Sequence, residues 1–166
     1  MTPNVRTRLA RREEWERVRD IRLRALADVP DAFGSTLEEE RSFGRAEWID
    51  GIEGWAGATN ALYVAEADDA WVGLAIGSHG DDEPWAHLFA MWVDPAWRTR
   101  GVGTALVNEV LAWARSWGAT SVVLNVTETN EAAVRFYERL GFLATGERHP
   151  LREGSDLFVR VMSRTP

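Results

Sequence analysis

Between Met91 and Thr104 the chain reads Met-Trp-Val-Asp-Pro-Ala-Trp-Arg-Thr-Arg-Gly-Val-Gly-Thr, an order of residue types that leaves the backbone few paths. An apolar strand end meets a Pro, which has no N–H for a ladder, and an Arg-bracketed glycine turn then opens into a helical pattern. From about Gly103, Leu106, Val110, Trp113 and Trp117 form one stripe, with Val107, Leu111 and Ala114 beside it. The start of a helix carries unpaired N–H groups and a partial positive charge. Successive amides from about Arg100 through Val102 to Thr104 would therefore converge on an anion, and Gly101 and Gly103 would let it touch backbone. Arg98 and Arg100, on either side of Thr99, would add full charges at the rim. The same spacing also suits a plain connection whose glycines only make the turn. Two better-known phosphate patterns are absent. The chain has no lysine for a G-x-x-x-x-G-K-[ST] loop, and no G-x-G-x-x-G is followed by a suitable acidic residue.

At 166 residues the chain suits a single domain over 1–166, large enough for an ordinary core without a metal or disulfide. It has no cysteine, which excludes disulfides, Cys-based zinc sites and any route through an acyl-cysteine. The net charge of −7 argues against nucleic acid, welcomes a cationic acceptor, and requires a local positive patch for any anionic ligand. All nineteen basic residues are Arg. The polar start Met-Thr-Pro-Asn-Val-Arg and the lack of an apolar run near ~18 residues predict neither signal peptide nor membrane span, hence a cytoplasmic protein. Nine Trp are read chiefly as filling for core and interface.

Along the chain, Val5 to Ala10 reads as a strand and Arg11 to Ala27 as a helix with Trp15, Val18, Ile21 and Ala25 inward. Pro30 and Gly34 mark a loop, Ser35 or Thr36 a cap for a short helix to Arg41, and Ala46 to Ile52 another helix. A meander follows over Leu62 to Ala67, Trp71 to Ser78 and Trp85 to Val93, with turns at Asp68-Asp69 and His79 to Pro84. The helix after the glycine turn ends at Gly118. Ser121 to Val126 is an apolar strand suited to parallel pairing. The chain closes with an antiparallel pair, Leu143 to Glu147 and Asp156 to Met162.

Between Ser121 to Val126 and that closing pair lies Asn130-Glu-Ala-Ala-Val-Arg-Phe-Tyr-Glu-Arg-Leu-Gly-Phe142, a helix stopped by Gly141 with Ala133, Phe136, Tyr137 and Leu140 inward. Together with R-x-x-G-x-G at Arg98–Gly103, this segment resembles the GNAT superfamily of acyl-CoA N-acyltransferases over roughly Leu62 to Met162. The resemblance implies an α/β fold: a mixed, mostly antiparallel sheet flanked by helices and splayed between its fourth and fifth strands. It implies acetyl-CoA as acyl donor, no metal, and a primary amine of a small molecule or peptide as acceptor, acylated without a covalent enzyme intermediate. A non-catalytic acyl-CoA-binding module is the competing reading, and a homodimer is common among similar proteins.

By the same resemblance, Arg98 to Thr104 would hold the coenzyme diphosphate. The free edge of Met91, Trp92 and Val93 would pair with the pantetheine amides, and an N–H near Met91 or Trp92 would face the thioester carbonyl. Tyr137 would stand beside the departing sulfur as general acid. Three residues are candidates for the base that deprotonates the amine: His87, Glu128 and, less favoured, Glu66. Asn130 would cap its helix or bond the pantetheine chain, and Arg135 would reach the phosphates or pair with Glu131. The insert after the first helix would wall the acceptor site, with Phe33, Glu38, Glu39 and Trp48 as specificity candidates.

Overall fold

A computed structural model describes residues 4–82 and 84–166. The polar first residues Met1 to Pro3, and Glu83 in the turn expected at His79 to Pro84, lie outside the described residues. Seven strands form one sheet in the order β1-β2-β3-β4-β5-β7-β6: β1 Val5–Leu9, β2 Asn60–Ala67, β3 Ala70–His79, β4 Trp85–Val93, β5 Ser121–Thr127, β6 Leu143–Pro150 and β7 Phe158–Arg164. Neighbours are antiparallel except β4 and β5, which run parallel. This is the mixed, mostly antiparallel sheet expected. The helices are α1 Trp15–Asp28, α2 Leu37–Arg41, α3 Arg45–Trp55, α4 Val102–Ser116 and α5 Glu131–Arg139.

Helices cover both faces because both faces are apolar. Against one, α4 and α5 bury Leu106, Val110, Ala114, Val134 and Tyr137 on Ala86, Leu88, Val122, Leu124 and Met162. Against the other, α1 and α3 bury Val18, Ile21, Ala25 and Ile52 on Leu62, Val64, Leu74, Ile76 and Trp92. Each fully buried aliphatic or aromatic side chain contributes about 1.5–3 kcal/mol, so this two-sided core holds the sheet between its helices.

The insert after α1 departs from expectation. Phe33 and Trp48 are core residues, 6% and 1% exposed, rather than walls of a pocket. Glu39 closes a capping box: its carboxylate accepts from Thr36 N at 2.8 Å while Thr36 Oγ1 accepts from Glu39 N at 3.2 Å. Glu38 and Glu39 are both exposed on α2, and Glu38 lines a shallow hollow with Leu37, Arg41 and Ser42. The buried polar centre of this region is instead Arg22 with Glu40, joined by Ser35. None of the helices among the described residues is long and apolar enough to cross a membrane.

Candidate active site

The parallel ladder between β4 and β5 runs from Trp85↔Ser121 to Leu88↔Leu124 and stops. Both strands continue, β4 to Val93 and β5 to Thr127, each still paired on its outer side. Beyond Leu88 and Leu124 the sheet therefore opens into a wedge whose β4 edge offers unpaired backbone groups. The cause is local. The register between β3 and β4 shifts between Leu74 and Ile76, where Phe89 to Trp92 oppose one residue fewer, and Ala90 takes a left-handed φ of 52°. This bulge leaves Phe89 and Ala90 both toward α1 and resets the alternation, so that Met91 and Val93 face α4 while Trp92 faces α1. Left-handed backbone at a non-glycine residue costs of order 1–3 kcal/mol and concentrates at functional positions.

At the mouth of the wedge lies the glycine turn. Asp94 caps a single 3-10 turn, its carboxylate accepting from Ala96 N at 2.9 Å. Thr99 and Gly101 then take φ values of 61° and 81°, unusual for a β-branched residue such as Thr99. The first capped bond of α4 is Ala105 N to Gly101 O, 3.0 Å. Among the described residues, the amides of Thr99 to Thr104 make no hydrogen bond of good geometry to a protein acceptor, although the backbone from Arg98 to Gly101 is folded as a turn. Thr99, Arg100 and Gly101 are exposed, Val102 is buried, and Gly103 and Thr104 are partly exposed, so the open end of this run is on the surface where an anion can reach it.

The side chains of the turn behave less uniformly than expected. Arg98 was expected as a free rim charge; instead its guanidinium pairs with Asp28 at the end of α1, and its Nε donates to Val93 O at 3.0 Å. The pair lies at the surface, with Asp28 offsetting the Arg98 charge there. Arg100 stays exposed over the Trp97 ring, 5.3 Å from its centroid. Gly103 was expected to clear space for a ligand, yet a Cβ there would lie 2.8 Å from Met91 Cε and 3.1 Å from Phe136 Cζ. It is a packing glycine that lets α4 approach β4 and α5. Gly101 faces open space.

Tyr137 points from α5 into the core beside Phe136 and Phe142, ring centroids 5.1 and 5.8 Å away. Its ring is buried, but its hydroxyl has no hydrogen-bond partner among the described residues and is not sealed from solvent. Burial pushes its ionisation above the usual phenol range, so it stays protonated. Asn130 caps α5, its Oδ1 accepting from Ala133 N at 3.1 Å. Arg135 is exposed and lies 3.6 Å from Glu131, one turn back.

The three base candidates separate clearly. His87 stands on β4 opposite Ser78 and Val123, half-buried between Trp85 and Phe89, and burial pulls its pKa down. It is a neutral imidazole on the α1 side of the sheet. Glu128 follows β5, but Arg148 grips it with two bonds of 2.9 and 3.0 Å and lowers its pKa. Glu66 is worse placed. It is buried on β2, bound by Arg6, Arg8, Arg17 and the Trp71 indole, and Arg8 above all holds it far below the usual carboxylate range. A carboxylate so stabilised is a weak proton acceptor, and both are structural ion-pair partners in this fold.

Sequence reasoning missed three participants: the Ala90 bulge, the strained Thr99 and the Asp28 anchor. Only Asp28 had a visible cue, an acidic residue just before Pro30 at the end of an amphipathic run.

Comparison with known proteins agrees with this geometry. Residues 15–142 match the model of the acetyltransferase (GNAT) family. The chain is 34% identical over 127 residues to a mycothiol acetyltransferase from Thermobispora bispora, covering 74% of this chain and 40% of that protein. It thus spans about two fifths of that relative's length. An acetyltransferase of the GNAT family from Streptococcus pneumoniae superposes with a TM-score of 0.80 at 18% identity, covering 98% of this chain and 100% of that one. An acetyltransferase from Salmonella typhimurium, crystallised with acetyl-CoA, superposes with a TM-score of 0.75 at 20% identity, covering 98% and 94%. With the wedge, the open amides and a family match over most of its length, the chain belongs to the acetyltransferase (GNAT) family.

Proposed function

We propose that this protein is an acetyl-CoA-dependent N-acetyltransferase that moves the acetyl group directly to a primary amine of a small molecule or peptide. The observation that carries the reading is the set of unpaired amides from Thr99 to Thr104 at the mouth of the wedge. They suit the diphosphate of coenzyme A, with Arg100 as the remaining rim charge. The β4 edge at Met91 to Val93, free of β5 though Val93 O is held by Arg98 Nε, suits the pantetheine amides. Bound there, the coenzyme supplies an activated acyl group.

The chain's own residues supply positioning and proton handling. An alkylamine has a pKa near ~10 and must lose a proton to attack. His87, kept neutral by burial and facing the α1 side, is the acceptor of that proton, directly or through water. Tyr137, kept protonated by burial, donates a hydrogen bond to the sulfur as negative charge develops. Holding amine and thioester in attack geometry contributes up to several kcal/mol beyond this. The absence of cysteine from the chain agrees with direct transfer, since no acyl-cysteine can form. The reading carries a cytoplasmic setting and a homodimer with it, the latter open to sedimentation analysis.

The deciding experiment incubates the protein with acetyl-CoA and a panel of amines while free thiol is monitored. Thiol release that depends on both protein and amine supports transfer. Tight calorimetric binding of CoA with no amine-dependent release would instead make this a binding module.

A further inference from the structure

The segment leaving α1 runs from one side of the wedge to the other. Asp28 accepts from Trp92 Nε1 at 2.9 Å and pairs with Arg98, whose Nε holds Val93 O. These partners are the end of β4 and the turn that follows. Three residues later, the Asp31 carbonyl accepts from Thr127 Oγ1 at 2.6 Å. Thr127 is the last residue of β5 and is buried. Between the two anchors lie Val29 and Pro30, the latter opening a single 3-10 turn closed by Ala32 N to Val29 O at 3.0 Å.

This short span is therefore bonded to both strands that part beyond Leu88 and Leu124. Its outer connections are firm. One turn before Asp28, Arg24 pairs with Asp94 and donates to Trp71 O at 3.0 Å. On the far side, Arg152 of the β6–β7 loop donates to Phe33 O at 3.0 Å. Burial raises the Asp28 carboxyl, but the bonds from Trp92 and Arg98 outweigh it and leave the pKa lowered, as for an anchor that stays charged. Past the last ladder rung no strand pairing among the described residues joins β4 to β5, so the span bonded to both is a direct polar tie between their ends.

We propose that Asp28 and Thr127 are positioning residues that, through the span between them, set the width of the wedge and so govern entry of the pantetheine arm. The proposal rests on the coenzyme A reading above. It makes the acceptor-side helix α1 part of the coenzyme site, although neither residue touches the reacting atoms.

Two ligands separate wedge width from anion binding: CoA, and 3′-phospho-ADP, which carries the nucleotide and diphosphate without the arm. The quantity read by calorimetry on the full chain is the ratio of their affinities. Thr127→Val removes the hydroxyl at nearly constant volume and should lower the ratio about five- to tenfold, the scale of one lost hydrogen bond. Thr127→Ser should restore it. Asp28→Asn should lower the ratio as well, but it also loosens Arg98 and with it Val93 O on the pantetheine edge, so the Thr127 pair is the cleaner reading. If Asp28→Asn does not fold, the Thr127 pair decides alone. A ratio unchanged in Thr127→Val, or lowered but not restored in Thr127→Ser, overturns the proposal while leaving the coenzyme reading intact. Failure of the unaltered protein to bind either ligand would remove that reading, and this one with it.

Discussion

Gly103 and Met91 meet where α4 crosses β4, with room for a hydrogen but not for a methyl group: an added Cβ would sit 2.8 Å from Met91 Cε. Phe136 closes the other side at 3.1 Å. Gly103→Ala would gain helix propensity worth up to about 1 kcal/mol and lose about 1–3 kcal/mol to overpacking. Overpacking should win, so the melting temperature falls by a few degrees and KM for acetyl-CoA rises as Met91 is displaced. A variant more stable than the parent would show that Met91 and Phe136 yield easily and that the contact is soft.

Gly101 presents the opposite case. A side chain there meets nothing, but the backbone φ is 81°. Gly101→Val should cost about 1–2 kcal/mol of left-handed strain in the free protein and should weaken coenzyme binding further, since it adds a branched side chain to the open space in front of the turn. Gly101→Asn tolerates the same backbone and should recover stability without recovering affinity. Equal CoA affinity in all three proteins would place the diphosphate elsewhere.

Tyr137 can be altered cleanly because its hydroxyl bonds to no other described residue. Tyr137→Phe should leave the melting temperature within a degree or so while lowering kcat on the order of 10²-fold, with KM for acetyl-CoA little changed. Wild-type kcat in this variant would reduce Tyr137 to a core aromatic beside Phe136 and Phe142.

The pH profile tests His87. Burial lowers its pKa below the ordinary value near 6.5, so the neutral form persists into mildly acidic solution. If it accepts the amine proton, the acid limb of kcat/KM falls below about pH 6.5 and disappears in His87→Ala. The same sign applies to stability: the unfolded chain takes up the proton first, so this contribution is full above pH 6.5 and is lost as pH drops toward the folded value. Glu128→Gln should leave the kcat/KM profile unchanged, since Arg148 already holds that carboxylate.

The carboxylates around Arg8 predict resistance to acid. The Arg8 hydrogen bond holds Glu14 down to about 2, and Glu66 is held lower still, chiefly by Arg8 and then by Trp71 and Arg6. Both folded pKa values lie below the unfolded ones, so their stabilisation is present above about pH 4.5 and is lost as pH falls toward 2. Arg8→Gln should therefore lower the melting temperature by several degrees at pH 7 and by much less at pH 2.5. A constant difference across that range would mean that Arg8 acts through packing over Trp71 rather than through charge.

What the order of residues determined here is whatever depends on neighbours along the chain. The apolar stripe Leu106, Val110 and Ala114 made α4, Asn130 capped α5, and Arg98 to Gly103 made a turn with open amides, because caps, helix stripes and glycine turns are settled within a few residues. Those short-range rules, with the family motifs, were enough for the sheet and its splayed pair. Tertiary structure decided which charges are free and which glycine is for packing. Arg98 looked like a ligand for an anion until the fold set it against Asp28, seventy residues away. Glu128 and Glu66 looked like bases until Arg148 and Arg8 arrived from other strands. Gly103 looked like space for a ligand until Met91 and Phe136 filled it. A charge or a void is defined by what lies across from it, and that partner comes from a distant part of the chain, where local pattern carries no information.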